Sequence, residues 1–142
     1  ATPRELFTDP HNLFVAGFIG SPAMNLMPGM VIDHAARVGS LAVPITPEQK
    51  GSLSSERIVV GVRPESFDVA PDGGLDAHVD LVEELGSESF LYCTGPGVAD
   101  RQVVVRAEGL SSTRRGEQVS LVPRPIGLHL FDAETGARLP AA

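Results

Sequence analysis

Four histidines and one cysteine are the side chains of this sequence with the widest range of chemistry. Cys93 ends a predicted strand, a position typical of a small buried hydrophobic side chain rather than of a nucleophile. No histidine has metal-ligand spacing to another histidine or to this cysteine. These residues therefore predict neither a metal site nor thiol chemistry. The four histidines are His11, His34, His78 and His129.

Motifs for phosphate binding and acyl transfer do not occur either. A phosphate-cradling loop of the Walker type needs Gly-Lys followed by Ser or Thr, whereas the single lysine, Lys50, follows Gln49. No Gly-x-Ser-x-Gly elbow is present. Glu83 and Glu84 are neighbours on a predicted strand, so they face opposite sides of it and cannot act as a carboxylate pair. The sequence predicts no catalysis within these 142 residues.

Composition narrows the classes of protein and partner. Hydrophobic content of 42% and charged content of 20% are typical of a globular protein. The net charge of −7 has the wrong sign for a phosphate-binding surface, so nucleic-acid binding is disfavoured. No apolar run approaches the roughly 20 residues of a membrane helix, and no signal peptide is predicted. A single cysteine predicts a reducing, cytoplasmic location, and a start at Ala1 predicts a piece of a longer protein.

The segment Asp76–Cys93 is the clearest of the elements that would position a site. Its first part alternates, with Ala77, Val79 and Leu81 on one side and polar residues on the other, as in a half-buried strand. The alternation breaks just before Gly86, and a glycine inside a strand pattern usually marks a bulge or a sharp bend. Two interpretations are open: a strand that turns the corner of a small closed barrel, or an ordinary two-stranded meander.

Residues 1–20 have a helical pattern. Thr2 can cap a helix, Pro3 suits its first turn, and Glu5 lies three residues after the cap, which completes a capping box. A second start is predicted at Asp9, before the unbroken apolar run Leu13–Ile19. Because a helix that is apolar on all sides must be buried on all sides, this segment is predicted to pack on the domain's own barrel or partly on a neighbouring domain.

After Leu26, short strands alternate with turn residues, which predicts a sandwich or a small barrel. One short helical turn is predicted to open at Thr46, and a tight turn is predicted over residues 132–136. The predicted strands are Gly29–Asp33, Val38–Val43, Arg57–Val62, Asp76–Leu85, Ser89–Cys93, Arg101–Ala107, Gln118–Val122 and Leu128–Phe131.

Separated segments of the sequence together resemble one family. They are the runs Phe14–Asn25, Val60–Glu65, Val82–Glu88 and Leu128–Gly136. In this order they resemble the C-terminal part of the ATPase subunit of carbohydrate ABC importers, the MalK-type group for maltose, trehalose and glycerol 3-phosphate. The resemblance covers nearly the whole chain.

The resemblance implies a fold class and a domain boundary. Residues 1–20 resemble the last helices of a truncated nucleotide-binding domain. Residues 21–142 resemble the regulatory domain, an OB-fold-like small β-barrel of the TOBE/MOP-like type. The implied fold is therefore mainly β with a short N-terminal helical segment.

The resemblance also implies a function. In this family, regulatory domains of two ATPase subunits contact one another while the nucleotide-binding domains open and close around ATP, and some members bind regulatory proteins through them. The resemblance thus implies a non-catalytic regulatory and dimerisation domain. Its expected partner is a second copy of itself, and it is not expected to bind nucleic acid. The subunit would contact permease subunits through the nucleotide-binding domain. ATP and Mg would bind to the parent chain, and no cofactor is expected in this fragment. The subunit would lie in the cytoplasm, at the inner face of the cell membrane.

A domain junction is predicted where the helical pattern stops. Glycine and proline together end a helix and redirect the chain. The junction residues are Gly20, Ser21, Pro22, Met24 and Asn25.

A second group of residues is assigned to the fold. Pro64 ends a predicted strand, and Arg63 and Glu65 are predicted to satisfy buried carbonyls or each other, with a direct partner contact as the alternative. Gly86 is predicted to meet a backbone requirement. Glu88 is predicted to accept backbone N–H groups across the bend.

Two other functions compete with dimerisation. Related barrels in oxyanion importers bind molybdate-like anions, so an oxyanion-type small-ligand-binding barrel is the alternative, although an acidic chain with one lysine is a poor anion trap. Nucleic-acid binding by the barrel ranks last because aromatic residues are only 5% of the chain, with no Trp to stack on bases.

Overall fold

The computed structural model describes residues 23–98, 101–108 and 113–141, which form ten strands and one short α-helix. The helix α1, Pro47–Gly51, follows the predicted cap Thr46, whose side chain completes a capping box with Gln49. The predicted N-terminal helices lie outside the described residues. The strands are β1 Asn25–Ile32, β2 Ala35–Val38, β3 Leu41–Pro44, β4 Arg57–Val62, β5 Phe67–Ala70, β6 Leu75–Glu84, β7 Glu88–Thr94, β8 Val103–Glu108, β9 Gln118–Pro123 and β10 Leu128–Asp132.

The strands form two five-stranded antiparallel sheets. Sheet 1 has the order β10-β4-β1-β2-β3, and sheet 2 has the order β5-β9-β6-β7-β8. The chain crosses from sheet 1 to sheet 2 after β4 and returns after β9, so β10 closes a sheet that began near the N-terminus. The fold is mainly β, as predicted, and its curled sheets are consistent with an OB-fold-like barrel.

One hydrophobic core lies between the two sheets. Alternate residues of each strand point into it, so Ile58, Val60 and Val62 of β4 are fully buried beside Leu91 of β7 and Leu121 of β9. A smaller cluster lies on the opposite face of sheet 1, where Met24, Val59 and Phe131 are buried. Sheet 1 is therefore apolar on both faces over part of its length.

The segment Asp76–Cys93 is a hairpin, the second of the two interpretations of its pattern. β6 and β7 are joined through Gly86 and Ser87, and the Leu85 amide donates to the Glu88 carbonyl at 2.8 Å. Gly86 has φ +86, whereas Ser87 is not in the left-handed region. This is the pattern of a type II′ turn, which requires a positive φ only at the first of its two central residues. The bulge lies earlier, at Asp80, where the pairing register shifts.

Gly86→Val should therefore reduce the free energy of unfolding by about 1 kcal/mol or more, because a β-branched residue is strained at this positive φ. Apart from its two chain neighbours, no residue has an atom within 4 Å of the position that a Cβ would take, so the cost is conformational rather than steric. Urea denaturation measures it. An unchanged midpoint would contradict the glycine requirement.

The β1–β2 turn carries strain of the same kind without glycine. Asp33 has φ 50 and His34 has φ 67, the two positive values of a type I′ turn, which prefers Asn-Gly. We expect the double variant Asp33→Asn, His34→Gly to be more stable by about 0.5–1 kcal/mol, since it relieves two left-handed residues. Thermal denaturation measures the gain, and a lower melting temperature would contradict it.

Candidate functional site

The two crossovers between the sheets have the same local structure. β4 is followed by Arg63 and the 3₁₀ turn Pro64–Ser66, and β9 is followed by Arg124 and the 3₁₀ turn Pro125–Gly127. In each case an extended arginine precedes a proline at the first turn position, where the fixed φ of proline suits the turn. The sequence contains the Arg-Pro pair twice, but only the first was singled out by sequence reasoning.

Reciprocal hydrogen bonds join the two crossovers. The Arg63 amide donates to the Gly127 carbonyl at 3.1 Å, and the Arg124 amide donates to the Ser66 carbonyl at 2.6 Å. Each turn also closes on itself, with Ser66 donating to Arg63 at 2.9 Å and Gly127 donating to Arg124 at 3.2 Å. The two turns therefore form one unit that holds the sheets together at this end.

The two arginines have different environments. Arg63 is buried, and burial lowers the pKa of its guanidinium, while the charge of Glu65 opposes that shift. Arg124 is exposed; it donates to the Glu65 carbonyl at 2.7 Å and pairs with Asp68 at 3.2 Å. Arg63 and Glu65 thus lie at the first crossover, and their predicted role in maintaining the fold stays a prediction.

His129 adds a buried titratable group beside Arg63. It lies opposite Gly61 in the β10–β4 register and is only 7% exposed. Its Nδ1 has no hydrogen-bond partner among the described residues. Burial lowers the pKa of this imidazole, and the nearby Arg63 charge lowers it further. A protonated His129 is therefore disfavoured in the folded state.

The His129 environment predicts a pH-dependent stability. The pKa of His129 in the folded state lies below its unfolded value of 6.5. The contribution of the neutral imidazole to the free energy of unfolding is therefore complete above pH 6.5, and it decreases as the pH falls toward the folded pKa. His129→Gln should flatten that slope. Urea midpoints at several pH values measure it, and parallel slopes for the two proteins would contradict it.

Asn25 connects the sheets at a second point. Its side-chain Oδ1 accepts from the Val104 amide at 2.8 Å, and its Nδ2 donates to the Val104 carbonyl at 2.8 Å and to the Val62 carbonyl at 3.1 Å. The side-chain amide of Asn25, the first residue of β1, thus forms hydrogen bonds with backbone groups of β8, an edge strand of sheet 2. Of the predicted junction residues, Met24 and Asn25 are buried, and Gly20, Ser21 and Pro22 lie outside the described residues.

Two family models match consecutive parts of the chain. The model of the MalK OB fold domain matches residues 20–67, and the model of the TOBE domain matches residues 60–131. The chain belongs to the TOBE domain family. In ABC transporter ATPases this domain is not the catalytic part.

Curated relatives of the TOBE domain chain are ATP-binding proteins of uptake systems. The diacetylchitobiose uptake system ATP-binding protein MsiK of Streptomyces coelicolor is 37% identical over 97% of this chain and 42% of its own length. The sn-glycerol-3-phosphate import ATP-binding protein UgpC of Cereibacter sphaeroides is 38% identical over 98% of this chain and 38% of its own. The multiple sugar-binding transport ATP-binding protein MsmK of Streptococcus mutans is 36% identical over 97% of this chain and 39% of its own. This chain therefore spans about two fifths of the relatives it matches.

Glu88 of the TOBE domain has a different partner from the predicted one. Its carboxylate pairs with the Arg106 guanidinium at 2.7 Å, and no backbone N–H group of the described residues donates to it. The reason is that Gly86 and Ser87 form a tight turn, which leaves the Glu88 side chain at the start of β7, next to β8. The backbone carbonyl of Glu88, rather than its side chain, closes the turn.

The predicted turn over residues 132–136 is present and is built around Asp132. One carboxylate oxygen accepts from the amides of Glu134 and Thr135, and the other accepts from the amide and hydroxyl of Ser54. These hydrogen bonds, those from Ser54 above all, lower the pKa of Asp132 to about 2. The carboxylate thus joins the turn to the segment before β4.

The single thiol of the TOBE domain is buried. Burial raises the pKa of the Cys93 thiol to about 12, so the thiol stays protonated near neutral pH. Within residues 23–98, 101–108 and 113–141, no three His, Cys, Asp or Glu side chains are grouped as metal ligands. No helix in the same ranges is long and apolar enough to cross a membrane.

A groove of about 290 Å³ lies at the open side of sheet 1, between its edge strands β3 and β10. Val43, Leu128 and Leu139 line it together with Gln49. The Gln49 amide donates to the Pro140 carbonyl at 2.9 Å and accepts from the Thr46 amide, so it ties the C-terminal segment to α1. The groove is therefore mainly apolar, and Gln49 is already engaged.

Proposed function

We propose that this chain is the non-catalytic regulatory and dimerisation domain of the ATP-binding subunit of an ABC importer for sugars or glycerol phosphate. The observation that carries the proposal is the pair of consecutive family matches in this chain, the MalK OB fold followed by the TOBE domain. Relatives of the chain are named for such uptake systems. Those relatives align over nearly all of this chain.

The proposal assigns ATP chemistry to another part of the parent subunit. The 142 residues contain no Gly-Lys-Ser/Thr loop, and the matched relatives are more than twice as long as this chain. ATP and Mg would bind in that remaining length. Through it the subunit would contact permease subunits at the cytoplasmic face of the membrane.

The regulatory part of the proposal gives the domain two kinds of partner, a second copy of itself and possible regulatory proteins. A dimer of these domains would hold two ATP-binding subunits together while their nucleotide sites open. Exposed apolar side chains lie on both sheets, in pairs such as Met30 and Ile32 on one face of β1, and contiguous exposed apolar surface commonly marks an interface.

Sedimentation and calorimetry test the proposal on the 142-residue chain. We expect a reversible dimer at about 100 micromolar, in the range of a modest interface, and no heat of binding on titration with ATP and magnesium. A monomer at that concentration would contradict the dimerisation role. A micromolar Kd for ATP would contradict the non-catalytic role.

A further inference from the structure

The outer face of sheet 1 is apolar along the whole of β1. Met27 and Val31 of this strand lie in the core, so the residues that alternate with them point outward. An antiparallel sheet that faces water usually carries polar residues on that side, so another segment is expected to cover this face. The outward residues are Met24, just before β1, and Leu26, Pro28, Met30 and Ile32 within it.

One end of this face is buried and the other end is exposed. An added Cβ at Gly61 would come within 2.6 Å of the Met24 sulfur and 2.9 Å of the Phe131 ring, so both side chains pack directly over this glycine. Both of them are buried. At the other end of β1, Met30 is 42% exposed and Ile32 is 49% exposed. The cover that the described residues supply therefore stops partway along the strand.

The exposed end of the face is basic. Met30 is paired with Arg37 of β2 on one side and with Arg57 of β4 on the other, so the three side chains share this face. Arg57 pairs with Glu134 at 3.1 Å, whereas no ion-pair partner of Arg37 occurs in the part of the chain that the structure describes. A segment that fits this end would combine apolar side chains with an acidic one.

We propose that the apolar run Leu13–Ile19 of this same chain packs on the outer face of sheet 1 and brings Asp9 beside Arg37. The run contains no polar residue, and it ends shortly before Met24 enters the face. Its apolar side chains would cover those of β1, and the carboxylate would meet the exposed guanidinium. The run would then belong to the barrel as a folding unit, although it lies in the part that resembles a nucleotide-binding domain.

The lengths of chain fit this arrangement. Residues 20–23 contain a glycine and a proline suited to a reversal, and they span at most about 13 Å. In the helical form that the sequence predicts, residues 9–19 would extend about 15 Å back along the sheet. From Leu26 to Ile32, β1 extends about 20 Å. Asp9 would therefore reach the basic end of the face.

Chymotrypsin, which cleaves after accessible phenylalanines, tests the contact on the 142-residue chain. Ile32→Asp should speed cleavage after Phe14 and Phe18 at least about tenfold, because a charge on the face disfavours burial of the run. The matched control is Leu81→Asp, since Leu81 is also 49% exposed but lies on sheet 2, and its rate should stay within about twofold of wild type. Equal rates for the two variants, or a wild-type chain cleaved as fast as Ile32→Asp, would overturn the proposal.

Dilution separates the run of the same molecule from a second copy as the cover of this face. Protection that is the same at about 1 and 100 micromolar is expected, since a contact between copies would follow mass action. Protection that is lost on dilution would overturn the proposal in favour of a second copy. A protected monomer would contradict the proposed dimerisation and support this contact.

A nitroxide attached to Arg37→Cys gives a second measurement that places no charge on the face. The amide NMR signals of residues 9–13 should broaden, and the buried Cys93 should stay unlabelled. The control label is at Ser87→Cys, in the exposed β6–β7 turn of sheet 2, and it should leave those signals sharp. Sharp signals with the Arg37→Cys label would overturn the proposal, even where circular dichroism shows that Ile32→Asp has unfolded.

Discussion

Gly127→Ala is expected to lower the free energy of unfolding by about 3 kcal/mol, at the upper end of the usual cost of overpacking. A Cβ at residue 127 would overlap the side chain of Ser66 and come within 3.6 Å of the Arg63 Cβ. Residue 127 also supplies the carbonyl that accepts from the Arg63 amide. The backbone would have to move away from Ser66, which breaks the reciprocal hydrogen bonds between the crossovers.

Urea denaturation of three variants tests this account of Gly127. Ser66→Gly in the Gly127→Ala background should recover part of the loss, because it removes the side chain that the new methyl group meets. Ile126→Ala is the control, since Ile126 is 87% exposed on the same turn and its loss should cost less than about 0.5 kcal/mol. A wild-type midpoint for Gly127→Ala would show that the crossovers are not closely packed.

Asn25→Ala is expected to cost about 2–4 kcal/mol. The substitution removes three hydrogen bonds and leaves the backbone groups of Val104 and the Val62 carbonyl without their side-chain partner, and unsatisfied buried polar groups are costly. Asn25→Asp should not rescue the domain, because a carboxylate can accept from the Val104 amide but would face two carbonyl oxygens. Faster hydrogen exchange at the Val104 amide would report the loss directly.

A second polar bridge supplies the control for Asn25. The exposed Ser40 hydroxyl donates to the Gly74 carbonyl and accepts from the Asp76 amide, also across the two sheets. Water can replace those hydrogen bonds, so Ser40→Ala should cost no more than about 1 kcal/mol. Equal losses for Asn25→Ala and Ser40→Ala would contradict the importance of burial at Asn25.

Local patterns in the sequence predicted the strands well but not their partners. β4, β9 and β10 begin where predicted because their alternation is strong and their ends are marked by turn residues. The predicted strand Val38–Val43 was wrong, since Gly39 and Ser40 form a turn between β2 and β3. The short strand β5 was missed because the 3₁₀ turn that precedes it looks like a loop.

The crossover site was only half visible in the sequence. Arg63 and Glu65 were assigned through the family resemblance, whereas Gly127 lies outside the runs that carry it and His129 lies within one of them with no role assigned. They meet the first crossover only because β10 returns to pair with β4. Asn25 was predicted as a junction residue, but its contact with Val104 depends on a pairing 79 residues apart. Such contacts follow from topology, which short-range patterns do not encode.

The position of β10 has a consequence for the order of folding during synthesis. β4 leaves the ribosome long before β10, which is its neighbour in sheet 1. Until residues 128–132 emerge, β4 is paired only with β1 and its other edge is open. Ile58, Val60 and Val62 lie on the core face of this strand, which makes the open edge prone to misassembly. The closing step is thus a long-range event that comes last and is slow. Nascent chains stalled before residue 128 should bind chaperones, and release should coincide with the appearance of β10.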